Sequence, residues 1–375
     1  MKNFLITILY LATANLLASE VTLDDEMWHD MGSKYKTGYE WYYFDVDNHD
    51  GGQISFIMFG PNQFDPKYTK HLFRDPKNHV GTIAQIYLPE GKQFDVKSYL
   101  HNKKSLKFQK TPFEFSIKEN SIKRSVQANG LPNYLLTINS YDKDKNIGIK
   151  GRLNFQSVQK GWMFKDGYTF KRKTLFKNIF HRWFVVIPRA NVTGSYTITY
   201  SDGSKRKVNV NGIGYHDHNY GSAPFNLHLK SWYWGRAYTK DKTLIYAKFI
   251  PQTPNLFGIK PETLLYFADA RKVYLGTDSA EIEMNKKSDY IVAENGIRIP
   301  KDISIKSSDQ FGRQYRFEFR KKDYAINSIH PFYYRYATEV EINCPISLVC
   351  ADRSTALSEK INLNKLMPWI IKEIF

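Results

Sequence analysis

The 375-residue chain contains little cysteine and no long apolar run after its amino terminus. Cys344 and Cys350 are its two cysteines, too few for a metal site on their own. A disulfide between them requires an oxidising compartment, and both the bridged and the reduced state stay open from sequence. No later segment offers about 18 consecutive apolar residues, so the sequence predicts no membrane-spanning helix.

Acidic residues are also scarce, since 37 Asp and Glu face 54 Lys and Arg, giving a formal net charge of +17. The lysines are spread along the chain rather than gathered in one block. Dispersed charge is typical of a solvated surface and does not indicate nucleic acid as a partner. It is compatible with peripheral contact with an anionic membrane surface.

The amino terminus has the pattern of a secretory signal peptide. A basic residue precedes an apolar run over residues 4–11, and small and apolar residues continue to Ser19. This run is too short to span a membrane. We therefore predict a signal peptide over residues 1–19, cleavage near Ser19 or Glu20, and an exported protein that is periplasmic or secreted.

Aromatic residues are abundant, with 26 Tyr and 25 Phe, and both types favour pleated, half-buried surfaces. Residues 314–320 alternate aromatic and polar side chains, as a half-buried antiparallel strand requires. Asp202 and Gly203 form a hairpin signal between two apolar alternating segments. Similar turn signals recur along the chain, so the sequence predicts an all-β antiparallel fold.

The roughly 355 residues that follow the signal peptide exceed what one hydrophobic core usually supports. A weak internal repeat supplies the boundary, because 41–43 and 232–234 each open an aromatic strand, a hairpin and a hydrophobic strand. We predict two domains, 20–222 and 223–375. A short helix is also expected within 354–375.

The densest group of chemically active side chains lies between Gly214 and Gly221. In an extended strand, His216 and His218 share one face while Asp217 lies on the other. Two imidazoles at this spacing can share a metal, although no third ligand is evident nearby. They can instead act as acid and base, or hydrogen-bond buried backbone as structural groups.

Glu40 stands among aromatic residues, where desolvation would raise the pKa of its carboxyl and make it a proton donor near neutral pH. An ion pair with Arg236 or Arg189 is the alternative. Aromatic side chains beside Glu40 and in the later segment 231–236 can stabilise a developing cation or line a pocket, and they can equally be core. These side chains are Trp41, Tyr43, Trp232 and Trp234.

Four segments of the chain, in their order along the sequence, resemble the carotenoid 1,2-hydratase (hydroxyneurosporene synthase) family and its lipocalin-like relatives, which include fungal intramolecular Diels–Alderases. The matching elements are 40–44, 188–194, 214–221 and 232–236. The resemblance implies two lipocalin-like antiparallel β-barrels or sandwiches in tandem, with a ligand pocket near their junction. It implies no obligatory metal or organic cofactor.

In these hydratases, a His and a Trp act with a Tyr-x-Asp pair to protonate a terminal double bond, and water captures the carbocation. His218 matches the His, whereas Tyr220 stands where Trp is usual. Tyr246 matches the Tyr, but Lys248 replaces the acid. An ammonium opposes a nearby carbocation, so carotenoid hydration would need Asp217 or Glu40 to transfer the proton.

We therefore predict a protein that acts on a hydrophobic polyene-, isoprenoid- or polyketide-like molecule as a cofactor-independent hydratase, cyclase or isomerase. The alternative is a non-catalytic carrier of a lipid or apolar metabolite in the cell envelope. The sequence does not indicate an oligomeric state. The catalytic candidates are His218, His216, Asp217, Glu40 and Tyr246, and the ligand-binding candidates are Trp41, Tyr43, Tyr220, Trp232, Trp234 and Arg236.

Overall fold

The computed structural model describes residues 18–65, 67–68, 75–173, 178–252, 262–284, 290–292, 296–325, 332–345 and 352–365. The described chain is nearly all β, with two single-turn helices, α1 (Leu23–Glu26) and α2 (Met31–Lys34). None of its helices has the length and apolar character needed to cross a membrane. Of the predicted signal peptide, residues 1–17 lie outside the described residues.

A 12-stranded antiparallel sheet forms the first half of the molecule. A separate two-stranded pair joins β1 (Ala18–Ser19) to β11 (Met163–Phe164). The strands of the large sheet are β2 (Tyr39–Asn48), β3 (Gln53–Phe59), β4 (Val80–Tyr87), β5 (Gln93–Leu100), β6 (Leu106–Gln109), β7 (Glu114–Ile117), β8 (Asn120–Val126), β9 (Pro132–Asp142), β10 (Ile147–Ser157), β12 (Tyr168–Lys173), β13 (Asn178–Thr199) and β14 (Lys205–Gly221).

Within this sheet the strands follow the order β5-β4-β3-β2-β14-β13-β10-β9-β8-β7-β6, and β12 pairs with β13. The sheet curls until β4 meets β9, where the buried hydroxyls of Thr82 and Ser140 are 2.7 Å apart. Its concave face encloses a largely aromatic core. This core includes Tyr42, Phe44, Phe56, Met58, Phe115, Tyr134, Phe155 and Phe184.

A 9-stranded antiparallel sheet forms the second half, in the order β18-β17-β16-β15-β25-β24-β23-β22-β19. A small hairpin, β20 (Tyr290–Val292) and β21 (Arg298–Pro300), accompanies it. The strands of the sheet are β15 (Leu229–Tyr238), β16 (Lys242–Pro251), β17 (Glu262–Asp269), β18 (Val273–Thr277), β19 (Glu281–Met284), β22 (Asp302–Ser308), β23 (Gln314–Ala325), β24 (Tyr333–Asn343) and β25 (Asp352–Asn362).

The two curled sheets confirm the predicted all-β, lipocalin-like architecture. Tyr315, Phe317 and Phe319 are buried on one face of β23, as their alternation predicts. The turn between β13 and β14 contains Gly203 at φ 81°, a left-handed conformation that glycine adopts without strain. The sheets divide between Gly221 and Leu229, and the predicted boundary of two folding domains within this interval stays a prediction.

The helix predicted within 354–375 is wrong for residues 354–362, which belong to β25; residues after 365 lie outside the described chain. Leu357 and Ile361 pack between the two sheets, while Ser358 and Lys360 are buried on the other face. A strand buried on both faces loses the alternation that identifies strands in sequence. Cys344 is disulfide-bonded, and the remaining cysteine, Cys350, lies outside the described residues.

A separate apolar core joins the two sheets. It forms where the convex faces of β2, β13 and β14 pack against β15, β16 and β25. The contact is rich in aromatic rings that no single sheet could bury alone. These rings include Tyr39, Trp41, Tyr43, Trp183, Tyr215, Trp234, Phe249 and Tyr333. A side chain of β2 or β14 therefore points either into the interior of the first sheet or into the junction between the two sheets, depending on the face of the strand on which it lies.

Candidate active site

The segment from Gly214 to Gly221 forms the end of β14, in the middle of the first sheet. His216 and His218 face the interior of that sheet, whereas Asp217 and Asn219 face the junction between the sheets. This alternation agrees with the sequence prediction. The two faces have different chemistry and are described in turn.

His218 lies in the closed interior and contacts two oxygen atoms. Its Nδ1 is 2.9 Å from the carbonyl oxygen of Asp25, and its Nε2 is 3.0 Å from Oε1 of Glu40. Neither His218 nor Glu40 has an exposed side chain, and the ring of Tyr42 stacks on the imidazole at 4.3 Å. Both imidazole nitrogens thus face oxygen atoms, and His218 and Glu40 form a buried hydrogen-bonded pair.

The expectation that desolvation raises the pKa of Glu40 is wrong. Burial does act in that direction, but hydrogen bonds from His218 and His29 outweigh it and lower the pKa below its ordinary value. The backbone N–H groups of His29 and Met31 also donate to this carboxylate, at 2.7 and 3.2 Å. Glu40 is therefore an ionised anchor for the segment 25–31 and not a proton donor near neutral pH.

The alternative ion pairs predicted for Glu40 are also absent. Arg236 binds Asp45 and Asp47 instead, with N–O distances of 2.6 Å to each. Arg189 donates to backbone carbonyls at Thr239 and neighbouring positions. Both guanidinium groups lie on the far side of the strands from Glu40.

His216 is a packed aromatic group. Its ring lies 3.8 Å from that of Phe44 and nearly parallel to it, and its Nδ1 is 2.8 Å from the carbonyl oxygen of Tyr43. Burial lowers the pKa of His216 to about 3. The imidazole is consequently neutral under ordinary conditions and does not exchange protons near neutral pH.

A cavity of about 100 Å³ lies between the two sheets, on the opposite face of β14. This is below the roughly 300–1,000 Å³ of sites that enclose a drug-sized ligand. Most of its lining is aromatic or aliphatic. The residues are Trp41, Tyr43, Ile57, Phe59, Phe64, His181, Trp183, Asp217, Asn219, Phe225, Trp232, Trp234, Ala247, Phe249, Tyr333, Glu359 and Ile361.

Asp217 and Glu359 are the two carboxylic acids that line this cavity. Burial raises the pKa of the Asp217 carboxyl to about 7, although hydrogen bonds from Tyr215 and Trp183 partly oppose the effect. The Tyr215 hydroxyl and the Trp183 indole donate to Oδ2 at 2.7 and 2.9 Å, and the Asn219 amide donates to Oδ1 at 2.7 Å. The raised pKa predicted for the carboxyl of Glu40 is therefore found at Asp217 instead.

The indole N–H of Trp234 also borders the cavity. Trp234 is 7% exposed, and within the described chain its Nε1 has no hydrogen-bond partner. A buried donor without an acceptor is energetically costly and is rare in folded proteins. An oxygen atom of a bound ligand would satisfy it.

A buried network of ion pairs and hydrogen bonds borders the cavity between the two sheets. Arg335 binds Glu359 and the hydroxyl of Tyr43, and that hydroxyl donates to Asp45 at 2.8 Å. Asp45 in turn pairs with Arg236. Because this chain of contacts crosses from one sheet to the other, it fixes the two walls of the cavity relative to each other.

The structure brings together some of the predicted site residues and separates others. Trp41, Tyr43, Trp232, Trp234 and Asp217 line the cavity. The remaining candidates lie elsewhere: His218, His216 and Glu40 inside the first sheet, Tyr220 on the same face beside Arg182, Arg236 in its ion pairs, and Tyr246 inside the second sheet.

Tyr246 and Lys248 face the interior of the second sheet, so the Tyr-x-Asp match does not reach the cavity. The Tyr246 hydroxyl donates to Ser358 at 3.1 Å, and the Lys248 ammonium donates to the carbonyl of Ile282 at 2.8 Å. Ala247, between them, lines the cavity instead. The charge of Lys248 therefore does not oppose a cation formed there.

Sequence reasoning missed several residues of the cavity, among them the side chains of His181, Trp183, Tyr333 and Glu359, which carry polar groups. Three of them lie on strands without a sequence motif, and Glu359 lies in the segment predicted as a helix. Burial lowers the pKa of His181 well below its ordinary value, so its imidazole is neutral. Its Nδ1 is 2.9 Å from the hydroxyl of Tyr39.

No protein-family model matches the chain. The chain is 27% identical, over 236 residues, to hydroxyneurosporene dehydrogenase of Chlorobaculum tepidum. This match covers 59% of the chain and spans 58% of the length of that relative.

Solved structures share the fold over most of the chain. CghA in complex with Sch210972 has a TM-score of 0.60 at 10% identity and covers 87% of this chain and 89% of its own. A protein assigned as AttH from Nitrosomonas europaea has a TM-score of 0.57 at 11% identity, covering 92% and 97%. Kievitone hydratase from Nectria haematococca has a TM-score of 0.54 at 12% identity, covering 93% and 94%.

Proposed function

We propose that this protein is a cofactor-independent enzyme that transfers a proton to a hydrophobic molecule held between its two sheets, with Asp217 as the acid. The observation that carries the proposal is a carboxyl with a pKa of about 7 in an aromatic cavity. Such a group holds a proton at neutral pH and can return to its ionised form within one reaction cycle. This assignment moves the proton-handling role predicted for His218 to the neighbouring residue on the opposite face.

The chemistry follows from the surroundings of the carboxyl. Asp217 gives its proton to one carbon of a double bond, and the electron pair of that bond forms the new C–H bond. The resulting cation lies among the faces of Trp41, Trp232 and Trp234, which stabilise positive charge. Attack by water, followed by return of a proton to the Asp217 carboxylate, completes a hydration. Attack by a second double bond of the substrate closes a ring and forms a new cation, and loss of a proton from this cation to the Asp217 carboxylate completes a cyclisation.

The likeness to known proteins supports a substrate of this class. The relative and the structural neighbours carry the names hydroxyneurosporene dehydrogenase, kievitone hydratase and CghA, the last bound to Sch210972. We infer a polyene-, isoprenoid- or polyketide-like molecule with an oxygen atom near one end. That oxygen would accept the free indole N–H of Trp234, and the small cavity would enclose that end of the molecule.

The test is to incubate the purified chain with a panel of oxygenated polyenes and polyketides and to follow products by mass spectrometry and binding by tryptophan fluorescence. We expect Asp217→Asn to bind the active compound but not convert it. Ile57→Val, which changes another cavity residue and removes no hydrogen bond to Asp217, is the control. Binding without any product in the native protein would contradict the enzyme and favour the carrier.

Export is part of the same proposal, and it is supported by the apolar segment at residues 4–11. Amino-terminal sequencing of the mature protein, recovered from the envelope or the medium of a producing cell, would test it. We expect a first residue near Ser19 or Glu20. An intact amino terminus on cytoplasmic protein would refute export and leave the proposed chemistry unaffected.

A further inference from the structure

A second group of functional side chains lies at one end of the first sheet, apart from the cavity. Asp65 follows β3, His79 directly precedes β4, and His101 directly follows β5. Their potential ligand atoms all lie within 4.8 Å of one another. Two connections, β3–β4 and β5–β6, thus bring a carboxylate and two imidazoles to a common point.

The distances within this cluster suit one metal ion. Oδ2 of Asp65 is 2.8 Å from Nδ1 of His79 and 3.4 Å from Nδ1 of His101. Ligands at about 2.0–2.1 Å from a tetrahedral zinc ion are separated from each other by about 3.3 Å. Small movements of the imidazoles would therefore place all three atoms at bonding distance from one ion.

The ligand atoms are also held in position by their surroundings. Oδ1 of Asp65 accepts the backbone N–H of Lys67 at 2.9 Å, which turns Oδ2 towards the imidazoles. The ring of His79 stacks on that of Tyr68 at 4.8 Å. Supporting contacts of this kind orient metal ligands in known sites.

Accessibility from solvent separates this cluster from the other group of two imidazoles and a carboxylate, formed by His29, Glu40 and His218. There both nitrogens of His218 already face oxygen atoms, and the side chains of His218 and Glu40 are fully buried. In contrast, the side chain of His101 is 35% exposed. An ion can reach it from solvent and keep a water molecule at a fourth position.

We propose that Asp65, His79 and His101 form a binding site for a divalent transition-metal ion of the zinc class. Two imidazoles and one carboxylate favour zinc and its neighbours over calcium or magnesium, which prefer oxygen ligands. The ion would clamp the ends of β3, β4 and β5. It would also fix Asp65 beside Phe64, whose ring lines the cavity.

The experiment titrates the full-length chain, first stripped of metal by a chelator, with zinc chloride in a calorimeter. Cobalt titration followed by visible absorption reports the coordination geometry independently. We expect one zinc ion per chain, no detectable calcium binding, and a loss of at least about tenfold in zinc affinity for His101→Ala. Asp65→Asn should reduce affinity similarly, and circular dichroism checks that both variants fold.

His49→Ala, at an exposed histidine outside the cluster, and His29→Ala, in the other group, are the controls and should bind as the native chain does. Zinc affinity that survives His101→Ala, or that is lost in His29→Ala instead, would overturn the assignment. So would a native chain that binds no zinc. None of these results depends on enzymatic turnover, so the metal site and the proposed reaction can fail separately.

Discussion

Replacing Asp217 by Asn should make the folded protein more stable at high pH, although the change removes a buried hydrogen-bonding group. In the folded state the carboxyl keeps its proton up to about pH 7, whereas its ordinary pKa is 3.8. Between these values the folded chain holds a proton that the unfolded chain has released. Stability therefore falls as pH rises through this window, and the loss is complete above about pH 7.

The size of the effect follows from the two pKa values. A difference from 3.8 to about 7 corresponds to about 4 kcal/mol at 1.36 kcal/mol for each tenfold change in proton affinity. In Asp217→Asn the side-chain oxygen can still accept from Trp183 and Tyr215. The new amide N–H group would face the donor amide of Asn219, which costs about 1–3 kcal/mol. The net gain at pH 8 is then about 1–3 kcal/mol.

The assay is urea unfolding followed by tryptophan fluorescence at several pH values between 4 and 8, for the native chain and for Asp217→Asn. Subtracting one profile from the other cancels contributions from other groups, including Glu262, whose pKa burial also raises to about 7. We expect the variant to be less stable at pH 4 and more stable at pH 8. A difference that does not change with pH would refute a raised pKa at Asp217 and, with it, its role as the acid.

Three further substitutions test other parts of the structure. His218→Ala should destabilise the protein by about 3–5 kcal/mol in urea, because it removes a fully buried ring and one hydrogen bond to the buried carboxylate of Glu40; a loss below about 1 kcal/mol would contradict the pair. Trp234→Phe should weaken binding of an oxygenated ligand about 2- to 10-fold while sparing a pure hydrocarbon, as measured by fluorescence titration; equal losses would rule out the indole hydrogen bond. Cys344→Ser should lower the melting temperature, since closing so short a loop contributes about 2 kcal/mol; calorimetry in which the variant and the native chain melt alike would contradict a stabilising disulfide.

Local patterns were sufficient to predict the fold class. The alternation in β23 and the turn at Gly203 depend on neighbouring residues alone, and both are found as expected. The helix predicted after Ser354 failed because β25 is buried on both faces, with Glu359 held by Arg335 from the adjacent strand. A Glu that is buried in an ion pair cannot be distinguished in sequence from a Glu that is exposed to solvent.

The residues of the cavity could be predicted only in part. The sequence singled out the segment between Gly214 and Gly221 and separated His218 from Asp217 by face, and Asp217 lines the cavity. The sequence could not decide which face meets the second sheet, because that depends on the packing of β14 against strands later in the chain. The pKa of Glu40 likewise depends on His218, which is 178 positions away in sequence.

The two faces of β14 nevertheless act together. Glu40 and His218 bind the segment 25–31 and hold β2 and β14 in register from inside the first sheet. Asp217, on the same strand, is fixed from the outside by Trp183 and Tyr215. A carboxyl donates a proton efficiently only if its direction towards the substrate is maintained, because reorganisation adds to the barrier. In the proposed reaction the histidine motif therefore has a positioning role in which no imidazole touches the substrate, since it holds rigid the strand that carries Asp217.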